Sequence, residues 1–166
     1  GILVDYGFNT TGTRAISINR SDIKKVEEIY NTIMFIKVFL LLVALLVLSF
    51  VLYVFDSLGK YSLIYFLTFG ILIGQYLFPT WLFQGLEQMK YITYINLTSK
   101  LFFTVCLFIF VKNEEDLYIV PLLNSLGFII GGIVAVFFIN QRFHIKFKLP
   151  TSNQVKTQLK DGWNIF

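Results

Sequence analysis

The sequence is short of nearly everything a soluble catalyst uses. In 166 residues it has one cysteine, one histidine and three prolines. A lone cysteine, Cys106, forms no internal disulfide and no zinc cluster, and the lone His144 has no second ligand at metal spacing. Acidic residues number ten, and none falls within residues 38–55, 61–86, 91–111 or 117–141. Those stretches hold a single basic residue, Lys100. No nucleophile elbow, glycine-rich phosphate loop or paired-carboxylate arrangement occurs. The chain is therefore not expected to be an enzyme, and no catalytic residue, metal or cofactor is assigned.

What the chain has in abundance is apolar length. It is 56% hydrophobic with a mean hydropathy of +0.70, and phenylalanine alone occurs 19 times. The four stretches are 18, 26, 21 and 25 residues long. A bilayer core of ~30 Å is crossed by ~20 mostly apolar helical residues. The fold class read from this is an all-α membrane protein: a polytopic helix bundle with four complete transmembrane helices plus partial helices at both ends. The spans are placed at 34–55, 61–83, 90–111 and 117–140. Residues 1–8 read as the last turns of an earlier span and 9–20 as a polar connector. Ile23, Val26, Ile29, Tyr30 and Ile33 recur at helical spacing, which predicts an amphipathic helix running straight into the first span. Pro79 is expected to bend or end the second span. Val155, Leu159, Trp163 and Phe166 mark residues 153–166 as the start of a further helix. Both ends read as cut, so a piece of a longer protein is expected.

Charge gives the orientation. The net charge is +4, and twelve of the fourteen basic residues lie in 14–37, at Lys90 and Lys100, and in 142–160. Only Lys60 and Lys112 lie in the alternate loops, beside Asp56 and the run Glu114-Glu115-Asp116. Excess Lys and Arg marks the cytoplasmic side, so loops 56–60 and 112–116 face outside. The acidic run reads as a solvated outer turn. Because this positive charge flanks spans instead of forming a face on a soluble domain, the partner expected is membrane lipid and not nucleic acid.

Polar residues inside the spans are the candidate site. Thr93, Asn96, Lys100 and Thr104 fall at i, i+3, i+7 and i+11, on one helix face. A polar stripe in a membrane helix points to a protein interior or an aqueous cavity. Lys100 has two readings. It is a cation in a central cavity, or it snorkels to the interface; the three polar residues on its face favour the cavity. Lys37 lies two turns into its helix, where snorkelling accounts for it equally well. Asp5 and Arg14 pair with other helices, line an inner gate, or are solvated. Glu87 and Lys90 read as a local ion pair. Gly70 and Gly74 form a GxxxG, and Gly127, Gly131 and Ala135 form a small-residue packing face.

Several segments resemble a known family. Asp5-Tyr6-Gly7-Phe8-Asn9 followed by Thr13-Arg14 resembles the end of the second span in Wzx-type O-antigen flippases. Phe78-Pro79-Thr80-Trp81-Leu82-Phe83-Gln84-Gly85-Leu86-Glu87-Gln88-Met89 resembles the stretch joining their fourth and fifth spans. Residues 156–166, with Gly162-Trp163, resemble the start of their seventh. These proteins form the polysaccharide-transport branch of the superfamily that also holds multidrug extruders and the lipid II flippase. The resemblance implies two lobes of six helices that rock to give alternating access. This chain, residues 1–166, would then be a partial first lobe, and its missing partner is the second lobe of the same polypeptide.

The function the resemblance implies is translocation of an oligosaccharide on undecaprenyl diphosphate from the cytoplasmic to the outer leaflet of the bacterial inner membrane. Lys100, Lys37 and Arg14 would meet the diphosphate, and Thr93, Asn96 and Thr104 the sugar. One rival is an ion-coupled multidrug antiporter of the same superfamily, which would favour a carboxylate in the spans. Another is a membrane enzyme of envelope polysaccharide synthesis, which needs large outer loops or clustered His, Arg and Asp.

Overall fold

The computed structural model describes residues 7–55, 59, 61–113, 116, 118–143, 145 and 148–163. Among them are seven helices: α1 (Phe8–Asn19), α2 (Ile23–Val54), α3 (Ser62–Leu77), α4 (Thr80–Gly85), α5 (Met89–Phe110), α6 (Ile119–Phe143) and α7 (Ser152–Trp163). No strand occurs among the described residues. Four segments are long and apolar enough to cross a membrane: Ile23–Val54, Ser62–Gly85, Met89–Phe110 and Ile119–Phe143. This is the all-α polytopic architecture that the apolar runs predict. Asp5, the loop residues Asp56 and Lys60, Glu114, Glu115, His144 and the last residues 164–166 lie outside the described residues.

The first difference from expectation is α1. The sequence predicts a polar connector over 9–20, yet Phe8–Asn19 is helical. Gly7 turns the chain at φ 71° and starts the helix. Phe8, Thr11, Gly12 and Ile16 are its buried residues, spaced at i, i+3, i+4 and i+8. That is one helix face, but two of its four members are too small or too polar to register as hydrophobic periodicity.

α2 follows after a short turn. The Asp22 carboxylate accepts from the backbone N–H of Lys24 and Lys25 at 3.1 and 3.3 Å, satisfying donors that a helix start leaves open. The helix is continuous for 32 residues, about 48 Å at 1.5 Å per residue. It therefore overshoots a ~30 Å bilayer core, and the amphipathic start projects beyond it. Its buried residues, Leu52 apart, lie between Val26 and Lys37. Beyond that, Phe39, Leu42, Leu46, Phe50 and Tyr53 are exposed. In water such a surface would aggregate; in lipid it is solvated.

Two seams hold the bundle together. α6 packs most extensively on α3 and next on α5. A side chain at Gly74 would collide with the backbone of Phe128 and Ile129, and one at Gly131 with Ser99. The GxxxG of α3 thus lets two helix backbones touch, and α6 uses Gly127 and Gly131 toward α5 but Gly132 toward α3. Ser125 adds a hydrogen bond from its hydroxyl to the Leu67 carbonyl across the α3–α6 seam.

The second span breaks at Phe78-Pro79. Pro79 has no N–H to offer the Gln75 carbonyl, and the Thr80 N–H turns to the Phe78 carbonyl at 2.9 Å. α4 then packs on α1, not on α6. Trp81, Leu82 and Phe83 are fully buried there with Phe8, Ile16 and Ile33. Thr13 ties the two helices, its hydroxyl lying 3.3 Å from both the Trp81 carbonyl and the Gln84 side-chain oxygen.

Glu87 and Lys90 do not form the local pair expected. Glu87 binds Arg20 at 2.5 Å, closing the end of α4 onto the end of α1, and the Lys90 ammonium lies 5.3 Å from the Tyr91 ring centroid. At the other end of the bundle, Asp116 accepts from the backbone N–H of Lys112 and Asn113 at 3.0 and 2.9 Å. These bonds hold its carboxyl below the usual carboxylate range.

Candidate functional site

The break in the second span opens a cavity of about 240 Å³. It is lined by Asn9 from α1, Lys37 from α2, Gln75 from α3, Phe78 and Thr80 at the break, Asn96 from α5 and Phe128 from α6. Every helix that reaches the break contributes. A narrower cleft of about 40 Å³ runs between α5 and α6, lined by Asn96, Ser99, Lys100, Phe103, Asn124, Gly127 and Phe128. Asn96 and Phe128 belong to both. The two spaces therefore share a wall, with Lys37 lining one and Lys100 the other.

The two lysines differ in setting. Lys37 is only 3% exposed although it sits among apolar residues of α2. A long stem at this position had two readings in the sequence, and burial removes the snorkelling one for this conformation. Lys100 is exposed on α5, with no ion pair among the described residues. Thr93 and Thr104 are exposed on the same helix and line neither cavity, while Asn96 is half-buried at the junction of both. Arg14 is exposed on α1 and lines neither. So Lys37 and Asn96 are brought together, Lys100 adjoins them through Asn96, and Thr93, Thr104 and Arg14 stand apart.

Five further polar residues line these spaces: Asn9, Gln75, Thr80, Ser99 and Asn124. Gln75 carried a signal, because it is an amide within a 26-residue uncharged run and lies four residues before Pro79. Asn9 carried none, since α1 itself was not legible. Ser99 lies on the face of α5 packed toward α6, where its hydroxyl donates to the Ile95 carbonyl at 2.8 Å beside Gly131. It serves the seam as much as the cleft.

The remaining polarity lies at the basic end. A cavity of about 320 Å³ separates the start of α2 from the segment leading into α7. Glu27, largely buried, binds Lys148 there at 2.7 Å. No group of three or more metal-ligating side chains occurs among the described residues.

A family model described as "Polysaccharide biosynthesis protein" matches residues 1–166. An Escherichia coli K12 protein, provisionally named an O-antigen transporter, is 29% identical over 165 residues, covering 99% of this chain and 40% of its own length. A protein of the same name from Shigella dysenteriae is 32% identical over 168 residues, covering 99% of this chain and 41% of its own length. The chain thus spans about 40% of the curated relatives it matches. No solved structure matches it. The match runs through the whole chain, including the segments 5–14 and 78–89 whose residues resemble the flippases, and on it the chain belongs to the polysaccharide biosynthesis protein family.

Proposed function

We propose that the full-length protein is a flippase for an undecaprenyl-diphosphate-linked oligosaccharide, that it works by alternating access, and that this chain is part of its first lobe. The carrying observation is the pair of neighbouring spaces at and beside the break in the second span, each lined by one lysine and both by Asn96. A lysine at mid-helix costs roughly 2.5–3.5 kcal/mol to insert on translocon scales. Lys100 is exposed in this chain and needs a polar neighbour in the membrane. The rest of the full-length protein and the anionic headgroup of the substrate supply one. Moving a lipid headgroup across a bilayer makes and breaks no bond, which suits a site built of a cation, amides and hydroxyls.

Roles follow from placement. Lys100 meets the diphosphate, because it faces outward from α5 and a negative headgroup in reduced dielectric gains most from a cation. Thr93 and Thr104 flank it on the same helix. Lys37 and Asn96 act deeper, at the break, and Arg14 guides the headgroup at the basic end. The apolar stretches 38–55, 61–86, 91–111 and 117–141 contain no Asp or Glu, which disfavours a cation-coupled drug extruder. The test is complementation of a flippase-deficient strain by the full-length protein, scored as surface polysaccharide at matched expression. Lys100→Ala is expected to lower export about tenfold, the equivalent of about 1.4 kcal/mol, and Lys100→Arg to keep most of it. Wild-type export from Lys100→Ala would remove the headgroup role.

A further inference from the structure

The basic end of the bundle is closed by a segment held differently from the rest. Residues 148–163 run from Lys148 into α7 and lie across the start of α2 and, to a lesser extent, α1. The α3–α6 seam is shut by glycines against main chain, whereas two open spaces flank the contact of this segment with α2. One is the cavity of about 320 Å³ that holds the Glu27–Lys148 pair. The other, about 210 Å³, lies between Ile29 and Thr32 of α2 and Asn153 and Thr157 of α7. Glu28 and Gln154 line both. From α7, Val155 and Leu159 pack against the buried core. The start of α7 is closed from within: the Gln154 side-chain oxygen accepts from the Thr151 N–H at 2.6 Å, and the Val155 N–H reaches the Thr151 carbonyl at 3.1 Å. A helix that caps itself can part from a neighbour without exposing unmet backbone groups at that end.

The ion pair across the first space is unequal. The Glu27 side chain is 14% exposed and that of Lys148 71%. The carboxylate is set in the wall of the bundle, while the ammonium rides on the segment and is already largely in water. Lys148 therefore loses little by leaving, and Glu27 loses much, because a largely buried carboxylate without its cation is costly. The cost falls when the segment lifts far enough for water to enter the space beside Glu27, where Lys24, one turn earlier on α2, lines the same wall. Two arrangements are thus supported, one paired and closed, the other open and hydrated. We infer that residues 148–163 are a releasable strap, fastened across the basic end of the bundle by Lys148 on Glu27. Resting on the alternating-access reading, the fastened and lifted positions belong to different states of the transporter. The fastening itself does not depend on what is carried.

The experiment measures the distance between spin labels on the full-length, cysteine-free protein in lipid nanodiscs. The labels go on Lys25→Cys of α2 and Lys160→Cys of α7, both exposed and neither a member of the pair. A shorter, dominant distance from the fastened strap and a longer one from the lifted strap are expected. Lys148→Ala should raise the ratio of longer to shorter about tenfold. Lys148→Arg, which keeps the charge and the reach, should stay near the unsubstituted protein. Lys156→Ala removes the same charge from an exposed position of α7 and should change nothing. A distance distribution that Lys148→Ala leaves unchanged overturns the strap. A rise for Lys156→Ala or Lys148→Arg equal to that for Lys148→Ala overturns the ion pair as its fastening. No substrate enters the measurement, so these outcomes stand apart from the export assay that decides the flippase reading.

Discussion

Glu87 holds a backbone conformation that glycine would hold with less strain. Its φ is 58°, and the N–H of Gln88 reaches back to the Phe83 carbonyl at 2.7 Å while its own N–H reaches Gln84 at 3.0 Å. This is the glycine-favouring close of a helix, here ending α4. A side chain in the left-handed region costs about 1–2 kcal/mol. The ion pair with Arg20 offsets at most ~1 kcal/mol, because the two side chains are 53% and 70% exposed. Glu87→Gly is therefore expected to unfold at equal or higher denaturant, by up to about 2 kcal/mol, and Glu87→Ala, which keeps the strain and loses the pair, at lower denaturant. Circular dichroism of the detergent-solubilised full-length protein during unfolding decides it; a Glu87→Gly no more stable than Glu87→Ala would show that the positive φ stores no strain for glycine to relieve. Residue roles were the least legible part of the sequence. The α5 stripe was visible as spacing, but spacing ranks Lys100 above Lys37, whereas the fold buries Lys37 and exposes Lys100. Burial depends on which helices surround a position, and a periodicity carries no record of its neighbours.

At the scale of elements the apolar runs and small residues were read directly. Gly70 and Gly74 pack on α6, and Gly127 and Gly131 on α5. What the pattern did not disclose is the division of labour, with one glycine-rich helix serving two neighbours on adjacent faces. Gly74→Ala is expected to destabilise the bundle by about 1–3 kcal/mol, because its methyl meets main chain that has no flexible end to yield. Ser49→Ala, on the exposed part of α2, should be nearly silent. Unfolding in mixed detergent compares the two, and parity between them would show that the α3–α6 contact tolerates separation. α1 was missed altogether, since a helix face made of Phe8, Thr11, Gly12 and Ile16 buries itself by closeness and not by hydrophobicity. Gly12 owes its place to Trp81, which sits against it from α4, nearly 70 residues away in sequence.

As a whole the molecule is a multi-pass protein of the bacterial inner membrane, with its basic residues gathered at one end. That charge split predicts sidedness: in the full-length protein an impermeant thiol reagent applied from outside should label Asn113→Cys and not Ser21→Cys or Ser152→Cys. Strong labelling of Ser21→Cys would invert the topology. The buried core is also one-ended. Trp81, Phe83, Phe8, Ile16 and Val26 all lie toward the end bearing α1, α4 and α7, while the far halves of α2 and α5 expose Phe50, Tyr53, Phe108 and Phe110. The interruption at Phe78-Pro79 falls between two loyalties: α3 is committed to α6, and α4 to α1. Peptide bonds cross this point, but the helical hydrogen-bond ladder does not. The span is thus mechanically a two-bar linkage with its pivot inside the bundle. On the alternating-access reading, residues 78–79 would be the hinge at which the two halves of the span change angle, of the kind that converts small rotations into opening and closing. On the flippase reading, a ligand seated in the cavity would be a wedge at that pivot, and the joint that admitted it would also sense whether it was there.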